Sequence, residues 1–459
     1  MTTRRQFNKG VVGLAFTGLS SSLLGCSDNN KSVQQTDEKF KGYGDLIPDP
    51  QKLLDLPQGF SYEVISSLND PMTDGLTVPD KADGMGCFRW DEDRVVLIRN
   101  HELKPKDREK STDVLSSFKT DKAYDSYPDG VAIAGGTTNI LYNMKTKLVE
   151  KQFVSLIGTI RNCSGGVTPW NTWLTCEESV ARPNEQLKQD HGYIFEVPAS
   201  ATEIVEAKPL KEMGRFNHEA AAVDPRTGIV YLTEDRGDSL FYRFIPNVLG
   251  KLEQGGKLQA MVVKFIKKFD SRNWQSNDMP LNKWYQVEWI DLDNPEAPED
   301  DLRIRGYEAG AAVFARGEGI HWADDELYFC CTNGGAKQLG QIMKYRPSLS
   351  EGEKQEQNAP GEIQLFFEST HESLYNFGDN LTVAPNGHLI VCEDQYTDEI
   401  ENHLRGVTDK GQVYDFAKIR IPTEPAGACF SPDGSIMFVN LYAPTRTLAI
   451  KGPWFHQSA

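Results

Sequence analysis

Asn217-His218-Glu219-Ala220-Ala221-Ala222-Val223 runs through the turn Asp224-Pro225-Arg226-Thr227-Gly228 into Ile229-Val230-Tyr231-Leu232-Thr233 and leaves through Glu234-Asp235. Two short apolar runs, the second rich in β-branched and aromatic residues, flank a Pro/Asp/Gly turn. That pattern predicts an antiparallel hairpin. In a hairpin the start of the first strand and the end of the second lie at the same end. Glu219 and the Glu234-Asp235 pair therefore share one end, opposite the turn.

Five more stretches follow the same plan. The first unit leads in through Asp83-Gly84-Met85-Gly86, turns at Asp91-Glu92-Asp93 and leaves at Asn100-His101-Glu102. The second leads in at Ser164-Gly165-Gly166, turns at Pro169-Trp170-Asn171 and leaves at Cys176-Glu177-Glu178. The hairpin above is the third. The fourth leads in at Arg316-Gly317-Glu318-Gly319, turns at Asp324-Asp325 and leaves near Thr332-Asn333. The fifth uses Gly378-Asp379-Asn380, Pro385-Asn386-Gly387 and Cys392-Glu393-Asp394; the sixth uses Glu424-Pro425-Ala426-Gly427, Pro432-Asp433-Gly434 and Asn440. Repeated hairpins without any long helical period predict an all-β chain, folded as a six-bladed β-propeller with insertions between blades. The longest insertion spans about 266–304 and contains Glu296-Ala297-Pro298-Glu299-Asp300-Asp301, read as a solvated loop.

The shared plan sends one set of residues to one rim: Glu102, Cys176, Glu177, Glu178, Glu219, Glu234, Asp235, Glu318, Asp379, Glu393, Asp394 and Glu424. Acids favour turns in any single hairpin. Here the turns at the other end use Pro, Asp and Gly instead, so the acids are not mere turn formers. Two carboxylates ~4 Å apart repel by about 1 kcal/mol in water and ~4 kcal/mol at a partly buried site. Hard cations with oxygen ligands, calcium above all, remove that cost. A thiolate at Cys176 beside them suits a softer metal such as iron or zinc.

The formal charge is −17, from 49 Lys+Arg against 66 Asp+Glu, which excludes nucleic acid as a partner because such binders need a basic face. Arg4-Arg5 with Phe7 and Lys9 precedes an apolar run from Val11 to Leu24, the pattern of a twin-arginine signal peptide over residues 1–25. Leu23-Leu24-Gly25-Cys26 matches a lipoprotein cleavage box, with Cys26 as the lipidated residue. Residues 26–45 read as a polar tether and 46–459 as one propeller domain. An exported, membrane-anchored monomer facing the periplasm or cell surface is expected. Seven further cysteines show no zinc-like spacing, and Cys330 and Cys331 point to opposite faces if they share a strand. His101 and His218 each precede a rim Glu and are read as structural.

These stretches resemble the PhoX alkaline phosphatases. The resemblance rests on Asn100-His101-Glu102-Leu103, Cys163-Ser164-Gly165-Gly166-Val167-Thr168-Pro169-Trp170, Trp173-Leu174-Thr175-Cys176-Glu177-Glu178 and Arg215-Phe216-Asn217-His218-Glu219-Ala220. Thr233-Glu234-Asp235-Arg236, Arg316-Gly317-Glu318-Gly319, Asp379-Asn380-Leu381, Val391-Cys392-Glu393-Asp394 and Ala426-Gly427-Ala428-Cys429 extend it from about 80 to about 440. It implies iron (Fe3+) and calcium (Ca2+) held at the propeller mouth for hydrolysis of small phosphorylated substrates. By that analogy Cys176, Glu219 and Glu318 would bind iron. Glu177, Glu178, Glu234, Asp235, Glu393 and Asp394 would be candidates for calcium. Arg316 would hold the phosphate, with Arg161 or Arg236 assisting, and Arg316 and Cys176 would carry the catalytic roles. Two other readings stay open: a calcium-only propeller acting on lactones or phosphotriesters, and a non-catalytic surface binding protein. Iron content and absorbance separate the first, and intact Cys176, Glu219, Glu318 and Arg316 argue against the second.

Overall fold

The computed structural model describes residues 39–110, 114–395 and 400–455. The twin-arginine segment, Cys26 and the first part of the tether lie outside the described residues. Among those described, no helix is long and apolar enough to cross a membrane.

All six predicted hairpins form. Their inner strands are Ala82–Arg89, Asn162–Val167, His218–Val223, Gly317–Ala323, Gly378–Val383 and Pro425–Phe430. Each pairs antiparallel with the strand that follows it. The six inner strands contact one another in cyclic order, the sixth returning to the first. This is the ring of a β-propeller. The hydrogen-bonded sheets number five, not six, because Tyr285–Asp291 pairs with the outer strands of both the third and fourth blades and fuses them.

Strands sandwiched between neighbouring blades are buried on both faces and mostly apolar. Val230–Glu234 and Ile436–Leu441 are buried along their whole length. Full burial of each such side chain contributes about 1.5–3 kcal/mol. The ring is closed by chain from the far end of the sequence: Ser61–Ser67 pairs with Arg446–Lys451 as the outer strand of the sixth blade. Leu54–Pro57 adds to the fifth blade against Val413–Ile419.

Two expectations are corrected. The folded body starts before residue 46. Phe40 N donates to Val413 O, and Tyr43 packs on Phe60, Phe416 and Trp454, so residues 39–45 dock rather than tether. Nor is the acidic 296–301 stretch a free solvated loop. Ala297 is fully buried, and basic side chains clamp the segment to its neighbours. Arg215 Nη1 donates to Ala297 O, Lys211 pairs with Glu296, and Arg303 and Arg236 reach Asp300.

Candidate metal centre

Five inner strands break register at their second and third residues, and the sixth at its third and fourth. Asp83-Gly84 oppose Asn100, Cys163-Ser164 oppose Cys176, and Glu219-Ala220 oppose Thr233. Glu318-Gly319 oppose Cys330, Asp379-Asn380 oppose Cys392, and Gly427-Ala428 oppose Val439. Two residues against one make a β-bulge, which bends the strand and re-aims a side chain. The first bulge residue is Asp, Cys, Glu, Glu, Asp and Gly in turn. The second is small because the next blade is close. A Cβ on Gly84 would sit 2.5 Å from Ser164 Cα, and one on Gly319 would sit 2.6 Å from Asn380 Cα.

The re-aimed side chains converge. Ligand atoms of Cys163, Glu178 and Glu219 lie within 4.8 Å of one another, and so do those of Glu219, Glu318 and Asp379. Glu219 belongs to both groups. Its carboxylate is 1% exposed, and neither oxygen accepts a hydrogen bond of normal geometry; only the Cys163 thiol stands beside it. A second tier comes from strand exits and one lead-in. Glu178 lies against Asp235, and Glu424 against Asp394.

Burial and mutual repulsion push these acids toward their neutral forms. Burial lifts Asp379 to about 7, with Asp394 adding to it. Burial lifts Glu178 to about 8, although Arg161 opposes the shift. Glu219, Glu318, Asp83 and Glu424 are pushed well above the ordinary carboxylate range, first by burial and then by neighbouring carboxylates, Asp379, Asp235 and Asp394 foremost. Burial, then Asp83 and Glu219, raises the Cys163 thiol as well. A set of buried donors that all resist ionisation together needs added positive charge. Bound cations meet that need and restore the ionised forms. A thiol among carboxylates fits one softer metal beside hard ones. The residues present therefore fit an iron–calcium centre.

Arginines divide the ring of acids. Arg161 bridges Glu102, at 2.7 Å, and Glu178. Arg316 grips Asp235 with two parallel bonds of 2.6 and 2.9 Å and reaches Glu318 at 3.2 Å. Both sit immediately before an inner strand, with φ of 50° and 51°, as does Lys81 at 56°. Left-handed backbone at non-glycine residues is strained, and such strain clusters at functional sites. Arg236 lies further out, donating to Asn217 Oδ1 at 3.1 Å.

Several expected ligands lie elsewhere. Cys176 is fully buried among Leu174, Ile194, Phe216 and Leu232, pointing away from the mouth. Its register equivalents Cys330 and Cys392 are also buried core residues, so this position wants a small apolar side chain. The thiol at the mouth is Cys163. Each exit pair also splits, because adjacent strand residues face opposite ways. Glu178, Asp235 and Asp394 join the acid ring, while Glu177, Glu234 and Glu393 turn inward. Glu177 accepts from Ile160 N, Gly192 N and His191 Nδ1 at 2.6–2.9 Å. His191 meets Asp125 through its other nitrogen, and the two carboxylates outweigh burial to hold it at about 9. Glu393 accepts from Asn376 N, His403 N and Arg405 Nε. Glu234 accepts from Tyr242 Oη at 2.6 Å, and burial raises it to about 7. The sequence reading missed Asp83 and Cys163. His101 and His218 bond to Asp80 O and Gly214 O, away from the acids.

The fold has a counterpart among solved structures. PhoX from Pseudomonas fluorescens, solved with vanadate as a transition state analogue, superposes with a TM-score of 0.62 at 18% identity, over 89% of this chain and 97% of that one. A gluconolactonase from Xanthomonas campestris follows at a TM-score of 0.40 and 11% identity, over 89% of this chain and 98% of that one. No curated protein matches by sequence. The family described as alkaline phosphatase PhoX matches residues 41–445, nearly the whole described body, and this chain belongs to that family.

Proposed function

We propose that this chain hydrolyses phosphomonoesters at an iron–calcium centre in the propeller mouth. The observation that carries the reading is Glu219: a buried carboxylate with no donor but the neighbouring Cys163 thiol, shared by two clusters of ligand atoms. Cys163, Glu219, Glu318, Glu178, Asp379 and Asp83 would hold the inner cations. Asp235, Asp394, Glu102 and Glu424 would hold calcium at the rim. The bound ions would supply charge that polarises the phosphoryl group and activates water for attack.

The chain's own residues do the rest. Arg316 presents two parallel donors, now closed on the paired oxygens of Asp235. A phosphoryl group offers the same pair of oxygens, so this fork matches it, and a lysine would not reproduce the fork. Arg161, held by Glu102 and Glu178, adds a fixed positive charge beside the charge that develops at the phosphorus oxygens. Glu177, Glu234 and Glu393 hold the strand ends from behind. The chain would reach its substrates as an exported monomer anchored through Cys26.

The test is turnover of a generic phosphomonoester, with and without chelator, for the parent, R316A and R316K. The parent should lose activity on chelation and regain it with iron and calcium. Both variants should fall by at least about a hundredfold, with R316K no better than R316A in phosphate inhibition. Unchanged turnover and unchanged inhibition in R316A would remove Arg316 from the site.

A further inference from the structure

The most exposed aromatic residue of the folded body lies away from the mouth's centre. Phe265 is 90% exposed and Ile266 is 44% exposed. They form the tip Lys264-Phe265-Ile266-Lys267-Lys268, which follows the outer strand Gly256–Val263 of the third blade. Three of the five tip residues are lysines, in a chain whose net charge is −17. Lys283, above the Tyr285 ring, stands close by, since Phe269 packs on Tyr285 and Lys264 N donates to Gln286 O. The acids facing the tip are Glu288, 3.9 Å from Lys264, and Glu308, 2.7 Å from Lys268. They leave Lys267 without an ion pair among the described residues.

The tip is built to project. Ile266 N donates to Val263 O, closing a tight turn. Lys268 N donates to Gly310 O and ties the turn's far side to the body. Phe265 adopts φ of 68°, and Lys268 φ of 55°. Left-handed backbone is where glycine costs least, and a bulky aromatic there is an outlier. The chain keeps a phenylalanine at that position, and among the described residues the ring contact is the Lys264 ammonium, 5.4 Å from the ring. An aromatic–aliphatic pair ringed by lysines matches a bilayer surface, where the apolar side chains enter the interface and the lysines meet anionic headgroups.

Strand direction gives the orientation. Val230–Glu234 ends at the mouth, Tyr242–Pro246 runs back from it, and Gly256–Val263 returns toward it. The tip therefore lies on the mouth side of the ring.

We propose that the 264–268 tip docks on an anionic phospholipid bilayer and turns the mouth-bearing end toward it. This contact is separate from any lipid on Cys26 and does not depend on the phosphatase reading. The test uses the chain from residue 26 on with C26S, so that no acyl chain contributes. Its sedimentation is measured with vesicles containing phosphatidylglycerol and with vesicles of phosphatidylcholine alone. The parent should bind the anionic vesicles and hardly bind the neutral ones. F265S/I266S should lower the partition at least tenfold, and K267E/K268E should lower it and remove its salt dependence. Phosphomonoester turnover in solution and the thermal melt of both variants should match the parent. A tip that serves a protein partner instead would leave the parent unbound by either vesicle. That result, or a double variant that binds as well as the parent, overturns the proposal.

Discussion

Glu219 and Glu393 are both buried glutamates at the mouth end of a blade, yet they live by opposite rules. Glu219 leads in on a bulge and faces the axis with no donor beside it but the Cys163 thiol. Glu393 ends an exit strand and faces the blade interior, closed by Asn376 N, His403 N and Arg405 Nε. The first is costly until a cation arrives, while the second already holds its partners. A carboxylate is thus marked as a ligand by the partners it lacks, not by its place on a rim.

The sharpest way to press that contrast is to remove each acid. E219A should cut turnover by about a thousandfold or more, yet leave the melt of the chelated protein unchanged or raised, since an unsatisfied buried acid has gone. E393A should act the other way round. It leaves the Arg405 guanidinium, which is 2% exposed, to Asp415 alone and takes the acceptor from Asn376 N and His403 N, so it should destabilise even the chelated protein by roughly 3 kcal/mol. Equal effects on the two chelated melts would erase the distinction.

A pH series on the chelated protein probes the same point more gently. Asp379 and Glu178 sit at about 7 and about 8 when folded, above their ordinary values of 3.8 and 4.5. Between those limits the folded chain holds more protons than the unfolded one. Stability should therefore fall as pH rises from about 4 to about 8, by on the order of 1 kcal/mol per pH unit for each such group. Loading iron and calcium should flatten or reverse that slope, because cations hold the same groups ionised. A chelated protein that gains stability across this range would show that the acids are already compensated.

The smallest effect is expected at Cys176. C176A removes one sulfur from an apolar layer and should cost about 1 kcal/mol in a melt while leaving turnover intact.

Much of this was legible in the sequence. Alternating apolar runs around Asp224-Pro225-Arg226-Thr227-Gly228 gave the hairpin, its recurrence gave the ring, and antiparallel geometry sent Glu219, Glu318 and Asp379 to one mouth. What spacing alone could not show was the bulge. A regular strand would turn Cys163 away, and only a two-against-one register aims it inward. A weak signal was present. Asp83-Gly84, Cys163-Ser164, Glu219-Ala220, Glu318-Gly319 and Asp379-Asn380 each set a ligand type before a small residue. Aligned on that pair, the units place Cys176 with Cys330 and Cys392 in the core. Likewise, the closing strand Ser61–Ser67 carries no local mark of its partner, which lies 379 or more residues away at Arg446–Lys451.

Iron and calcium content, measured side by side on C163S and C176S purified from the same host, tests most directly whether the bulged residues hold the cations. C176S should carry the parent's full complement, and C163S should lose most of its iron while remaining folded. Full iron in C163S, or loss confined to C176S, would show that the cluster is built on other residues.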